Sequence, residues 1–258
     1  MNRWVRAYRL TPMPRWRLVC FAHAGGSASF FRDWVNALPD DIDLLAIQYP
    51  GREDRFSEPC LTDMQRLADG AAHALADYAD RPLALFGHSL GAVVAYEVAA
   101  RLEQRAIAVD HLFVSAHPAP HRQRGGQLHL GPDAALLDDV RRLSDRPNPL
   151  LDDPALCDLF LPGLRNDYRI VETYACPQPR PLNSRIEVFY PEHDPEIELD
   201  EALAWQAASH QPLHLQRWHG EHFYLIEQRQ ALLDAIAATL LTLTPAPRKP
   251  VDENTRRL

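Results

Sequence analysis

The sequence predicts an α/β protein, a mostly parallel sheet flanked by helices and interrupted by a helical insertion. Three observations predict it. Short apolar runs alternate with amphipathic stretches along the whole chain. A strand–turn–helix pattern surrounds Gly87-His88-Ser89-Leu90-Gly91. Residues 116–181 carry ten of the 22 prolines, too many for one regular element inside a compact domain.

Six runs read as strands: Leu18–Ala22, Leu44–Tyr49, Leu83–Phe86, His111–Ser115, Ile186–Tyr190 and Leu213–Trp218. Their near-continuous hydrophobicity suits strands covered on both faces. Helical periodicity fills the intervals at Phe30–Leu38, Met64–Tyr78, Leu90–Arg105, Glu201–Ala208 and Tyr224–Leu243. The core is therefore expected over 1–115 and 182–244. Within the 116–181 interval, expected to be a lid, Leu136, Leu137, Val140 and Leu143 mark a short amphipathic helix. A second begins at Leu156, Leu159 and Phe160, is expected to break or kink at Pro162-Gly163, and resumes at Leu164, Tyr168 and Val171. The stretch 245–258, with three prolines among charges, reads as a flexible tail.

At 258 residues, one domain with an insertion is the default. The composition, 46% hydrophobic and 24% charged, is that of a globular protein with a sizeable core. A formal charge of −8 argues against a binder of nucleic-acid phosphates. Cys20, Cys60, Cys157 and Cys176 follow neither a zinc nor a disulfide spacing and read as reduced thiols. No secretory leader and no membrane-length apolar run is present, so a cytoplasmic protein without membrane attachment is expected.

The pentapeptide at Ser89 reads as a nucleophile elbow. Gly87 and Gly91 leave room where the backbone bends sharply from strand into helix, and the helix N-terminus brings N–H donors to the site. A serine nucleophile needs a base, and the base needs a carboxylate to fix its tautomer. In a parallel sheet both belong in loops that follow strands. Two loops qualify: Pro191-Glu192-His193-Asp194-Pro195 and His219-Gly220-Glu221-His222-Phe223.

Glu192 and Asp200 compete with Asp194, which is preferred because the following proline stiffens it. His219 competes with His222, which is preferred for its place after the glycine turn and ahead of the last helix. Ser89, Asp194 and His222 are thus the candidate catalytic set. The Leu90 N–H and one from the loop His23-Ala24-Gly25-Gly26-Ser27, assigned to Ala24, are the candidate oxyanion donors. His23 reads as a residue that shapes the site, and Gln48–Arg55 as a structural Pro-Gly turn with balanced charges.

Four blocks, Phe21–Ala28, Gln48–Arg55, Gly87–Ala92 and Gly220–Tyr224, together resemble the type II thioesterases that accompany nonribosomal peptide and polyketide synthetases. Leu164-Arg165-Asn166-Asp167-Tyr168 resembles part of that family's lid, and Leu90 stands where members often carry methionine. The resemblance implies the α/β-hydrolase fold and hydrolysis of acyl groups from the phosphopantetheine arm of carrier proteins. It implies partnership with acyl- or peptidyl-carrier domains, with no cofactor beyond the phosphopantetheine that the substrate brings. A monomer is expected, and Arg122, Arg124 and Arg165 are candidate carrier contacts. An esterase or peptidase on the same scaffold, or a non-catalytic partner of a synthetase, are the alternatives.

Overall fold

The computed structural model describes residues 3–123, 125–143 and 153–244; the expected tail at 245–258 and the candidate contact Arg124 lie outside the described residues. Seven strands form one sheet: β1 (Val5–Arg9), β2 (Trp16–Phe21), β3 (Ile42–Ile47), β4 (Leu83–His88), β5 (His111–Ser115), β6 (Arg185–Pro191) and β7 (His214–Trp218). Their order is β1-β3-β2-β4-β5-β6-β7. Only β1 runs antiparallel to its neighbour; every other pair is parallel. The mostly parallel, helix-flanked architecture read from the sequence is the one observed.

β1 is the strand that apolar runs did not reveal. Arg6 and Arg9 sit within it, and only Val5 is fully buried. An edge strand paired on one side needs no continuous apolar run, and its charges deter further pairing. β2, β3, β4 and β5, by contrast, are buried at every position.

The helices are α1 (Met64–Leu75), α2 (Leu90–Gln104), α3 (Asp133–Arg142), α4 (Pro154–Thr173), α5 (Leu199–Leu203), α6 (Tyr224–Glu227) and α7 (Arg229–Thr242). Periodicity located them, and geometry differs at several ends. The expected helix over Phe30–Leu38 is a 3-10 helix at Ala28–Asn36. α1 and α5 each tighten into 3-10 turns, at Ala76–Tyr78 and Ala204–Ala208, and the last helical stretch divides at Gln228.

The expected break at Pro162 does not occur, because α4 runs through it. Proline there removes one intrahelical donor. Burial of Leu161, Leu164 and Tyr168 against Leu136 and Cys157, in a small core separate from the main one, offsets that loss.

Register brings the strand ends together. Phe21 lies beside Gly87, His88 beside Ser115, Ser115 beside Phe189 and Pro191 beside Trp218. The segments that follow β2, β4, β5, β6 and β7 therefore leave the sheet along one edge, where a parallel sheet places its ligands.

Candidate active site

Ser89 sits between β4 and α2 with φ 55° and ψ −127°, a conformation that strains any residue with a side chain by about 1–3 kcal/mol. The neighbours hold it there. Its N–H donates to the Ser115 carbonyl at 2.9 Å, and its carbonyl accepts from Ala92 at 2.8 Å. The flanking glycines are required by close approach of backbone to backbone. A methyl on Gly87 would meet the Gly91 carbonyl oxygen at 2.1 Å, and one on Gly91 would meet the Phe21 carbonyl oxygen at 2.1 Å. Leu90 opens α2, so its N–H has no acceptor within the helix.

Asp194 and His222 come together from the loops after β6 and β7. His222 Nδ1 and Asp194 Oδ2 are 2.8 Å apart, both side chains essentially buried. The other carboxylate oxygen, Oδ1, accepts the Glu196 N–H at 2.9 Å, which fixes the orientation of the carboxylate. The His193 N–H donates to the Gly220 carbonyl at 3.0 Å and ties the two loops to each other. Gly220 adopts φ 117°, the turn that carries the chain from β7 back towards the site.

The competing residues point elsewhere. Glu192 pairs with Arg217 and Asp200 with Arg122 at the surface, while His219 meets His193 edge to face with ring centres 4.9 Å apart.

Ser89 and His222 line one cavity of about 290 Å³, together with His23, Ala24, Leu90 and His117. The Ser89 hydroxyl makes no hydrogen bond among the described residues, so proton transfer to His222 requires approach of the two side chains. Such contacts commonly tighten only when substrate binds.

Three further imidazoles lie around His222: His88 and His117 are buried and His23 is half-buried. Burial, reinforced by His222 and Arg52, pushes His23 down to about 3. Burial also takes His117 down to about 4, helped by His222 and opposed by its Nδ1 contact with the Pro118 carbonyl at 2.8 Å. His88 lies well below the ordinary histidine value for the same first reason, with His222, His23 and His117 adding to it. His88 Nδ1 sits 3.0 Å from Ser115 Oγ, which in turn meets the Tyr224 hydroxyl at 2.9 Å.

In the neutral range these three rings are therefore uncharged walls. His23, wedged edge-on between Phe30 and Phe223 with ring centres 4.9 Å away, has the surroundings of a shaping residue. The wall itself escaped sequence reasoning because its members come from the ends of three different strands. The only signal for His117 was its place just after β5.

The Gln48–Arg55 turn, read as structural, packs against α4 and the loop that follows β2. Arg52 makes a two-pronged ion pair with Asp167 of α4, both contacts at 2.7 Å. Arg165, a candidate carrier contact, is half-buried and engaged with residues 128–133. It donates to the carbonyls of His129 and Gly131 at 2.8 Å and pairs with Asp133. Among the described residues no cluster of His, Cys, Asp and Glu could hold a metal ion, and no helix is long and apolar enough to cross a membrane.

Residues 16–240 match a family described as the thioesterase domain. The chain is 38% identical over 246 residues to the thioesterase PikA5 of Streptomyces venezuelae, covering 95% of this chain and 88% of that one. It is 36% identical over 245 residues to a probable cadicidin biosynthesis thioesterase of Streptomyces griseus, covering 95% and 68%. Among solved structures it is similar to the type II thioesterase BorB from the borrelidin biosynthetic cluster, with TM-score 0.86 at 40% identity over 92% of this chain and 97% of that one. It is also similar to RedJ, a thioesterase from the prodiginine pathway in Streptomyces coelicolor, with TM-score 0.82 at 35% identity over 87% and 90%. The chain belongs to the thioesterase family, hydrolases of thioesters built on the α/β-hydrolase fold.

Proposed function

We propose that this protein is an editing thioesterase of the type II kind. It hydrolyses acyl or aminoacyl thioesters from the phosphopantetheine arm of carrier proteins in nonribosomal peptide or polyketide biosynthesis. The observation that carries the reading is the buried Asp194–His222 contact at 2.8 Å on the wall of the cavity that Ser89 also lines. The similarity to BorB and PikA5 supports the substrate class.

In this reading His222 takes the Ser89 proton as the hydroxyl oxygen attacks the thioester carbonyl. Asp194 holds His222 in the tautomer with Nε2 free and stabilises the imidazolium. The N–H groups of Ala24 and Leu90 bind the oxyanion. The C–S bond breaks as the intermediate collapses; the sulfur, whose thiol has a pKa of about 8.5, departs with little acid assistance and then takes the proton held by His222, which returns the imidazole to its neutral form. His222 then activates water, which attacks the acyl-serine ester, and the free acid departs with the Ser89 proton restored. Residues 116–181 act as the lid over the 1–115 and 182–244 core. The protein works as a cytoplasmic monomer and needs no cofactor of its own.

The test compares kcat/KM for an acyl-pantetheinyl carrier protein with that for a simple ester bearing the same acyl group. The reading expects at least about tenfold preference for the carrier-bound thioester, equivalent to about 1.4 kcal/mol of transition-state binding, and loss of both activities in Ser89→Ala. Equal rates would assign a general esterase. Carrier binding without turnover would assign a non-catalytic partner.

A further inference from the structure

The loop expected to supply one oxyanion donor is clamped from outside the hydrolase core. Its backbone donors can be followed one by one. The Gly26 N–H donates to the His23 carbonyl at 2.9 Å, and the Gly25 N–H to Asp167 Oδ2 at 2.8 Å. The Ala24 N–H has no acceptor among the described residues. The clamp is two-sided, because Arg52 donates to the Gly26 carbonyl at 2.8 Å while both its prongs hold Asp167. Gly25 adopts φ +75°, and α4 lies so close that a methyl there would meet the Phe160 ring at 2.5 Å. The Ala24–Gly25 and Gly26–Ser27 peptide planes are thus set by one carboxylate and one guanidinium, and the Gly26 N–H between them holds the His23 carbonyl of the peptide that carries the Ala24 N–H.

Stability alone is a poor reason for this pair. A buried ion pair repays its desolvation only with excellent geometry, and apolar replacements are often as stable. Asp167 is 1% exposed and accepts three hydrogen bonds, so its geometry is well satisfied. A bare carboxylate beside the oxyanion loop would also oppose the negative charge that develops on the substrate. Arg52 cancels that charge while the carboxylate keeps its grip on Gly25.

We propose that Arg52 and Asp167 are positioning residues for the oxyanion donor, through which α4 of the 116–181 segment sets the Ala24 N–H. The inference rests on the Ser89 hydrolase reading above. It makes an asymmetric prediction: losing Arg52 is worse than losing the charge of Asp167, because it both frees the loop and leaves a buried negative charge.

The experiment measures kcat and KM on the acyl-pantetheinyl carrier protein for Arg52→Ala, Asp167→Asn and the double variant Arg52→Gln/Asp167→Asn. Alongside, it measures inhibition by a trifluoromethyl ketone, which captures Ser89 as an oxyanion, and binding of the unreactive amide analogue. By the scale of a lost oxyanion donor, Arg52→Ala should lower kcat roughly 100-fold with KM within about threefold. Asp167→Asn keeps an acceptor for Gly25 and should lose only about tenfold. The double variant should recover part of the Arg52→Ala loss.

Ketone affinity should fall in step with kcat/KM while amide binding holds. Asp167→Asn is close to isosteric and carries the test if Arg52→Ala does not fold. Folded variants with kcat and ketone affinity within about threefold of the parent would overturn the proposal, as would equal weakening of ketone and amide. Failure of the underlying reading is separately visible, as full activity in Ser89→Ala.

Discussion

The elbow at Gly87–Gly91 and the clamp at Arg52–Asp167 fix two parts of one cavity by different means: the elbow presents Ser89 and Leu90, and the clamp grips the loop that presents His23 and Ala24. The elbow is held by backbone against backbone. Gly87 and Gly91 permit contacts that no side chain would survive, and Ser89 takes its strained conformation from hydrogen bonds to Ser115 and Ala92. The clamp is held by charged side chains 115 residues apart in sequence, one in the core and one in α4. A backbone device tolerates almost no substitution. A side-chain device is graded, and it can couple the loop after β2 to α4. Ser89 is thus held by backbone contacts, while the loop bearing Ala24 is held through α4.

The largest break in this comparison should come from a matched pair of glycines. In Gly91→Ala the new methyl would press on the carbonyls of Phe21 and Ala22, which are backbone and cannot rotate away. Overpacking against fixed backbone of this kind should cost about 3 kcal/mol or more, and Ser89 should lose its presentation along with it. In α4, Gly163 has nothing within 4 Å of an added methyl. Gly163→Ala should leave stability unchanged or raise it by up to about 1 kcal/mol through helix propensity. Thermal unfolding of the two variants reads the difference; equal losses would refute the contrast.

A smaller effect should appear with pH. His23, His88 and His117 are held neutral by burial, with folded values below the ordinary 6.5. The unfolded chain therefore takes up protons below about 6.5 that the native state refuses. Their contribution to stability is complete above that value and is lost progressively as pH falls towards 4, by up to about 1.4 kcal/mol per pH unit for each ring. Between pH 7.5 and 5, above the carboxylate range, Tm should fall by several degrees, and His117→Gln should flatten the slope. A Tm independent of pH in that window would contradict the neutral wall.

Much of the core was legible because its signals are local. β2, β4 and β5 are apolar at nearly every position, and the elbow announces itself through two glycines around a serine. β1 was hidden by its arginines, since an edge strand obeys no continuous pattern. The helix through Pro162 was hidden by tertiary packing, which overrode a local breaker.

At the site, chain order and strand ends picked out the two loops, Pro195 and the glycine turn at Gly220 then favoured Asp194 and His222 over Glu192, Asp200 and His219, and the structure places that pair in contact. The neutral imidazole wall and the Arg52–Asp167 clamp left no such trace. Their partners are joined only by folding, and a Pro-Gly-Arg turn looks the same whether it merely reverses the chain or grips a catalytic loop.

The assignment of Ser89 as nucleophile and His222 as its base carries the proposed function. Its most direct test is labelling with a fluorophosphonate followed by peptide mass spectrometry. A single adduct is expected, on Ser89, forming at least about 1,000-fold more slowly in His222→Ala, in keeping with the loss of a triad base. An adduct on another residue, or undiminished labelling of Ser89 without His222, would contradict it.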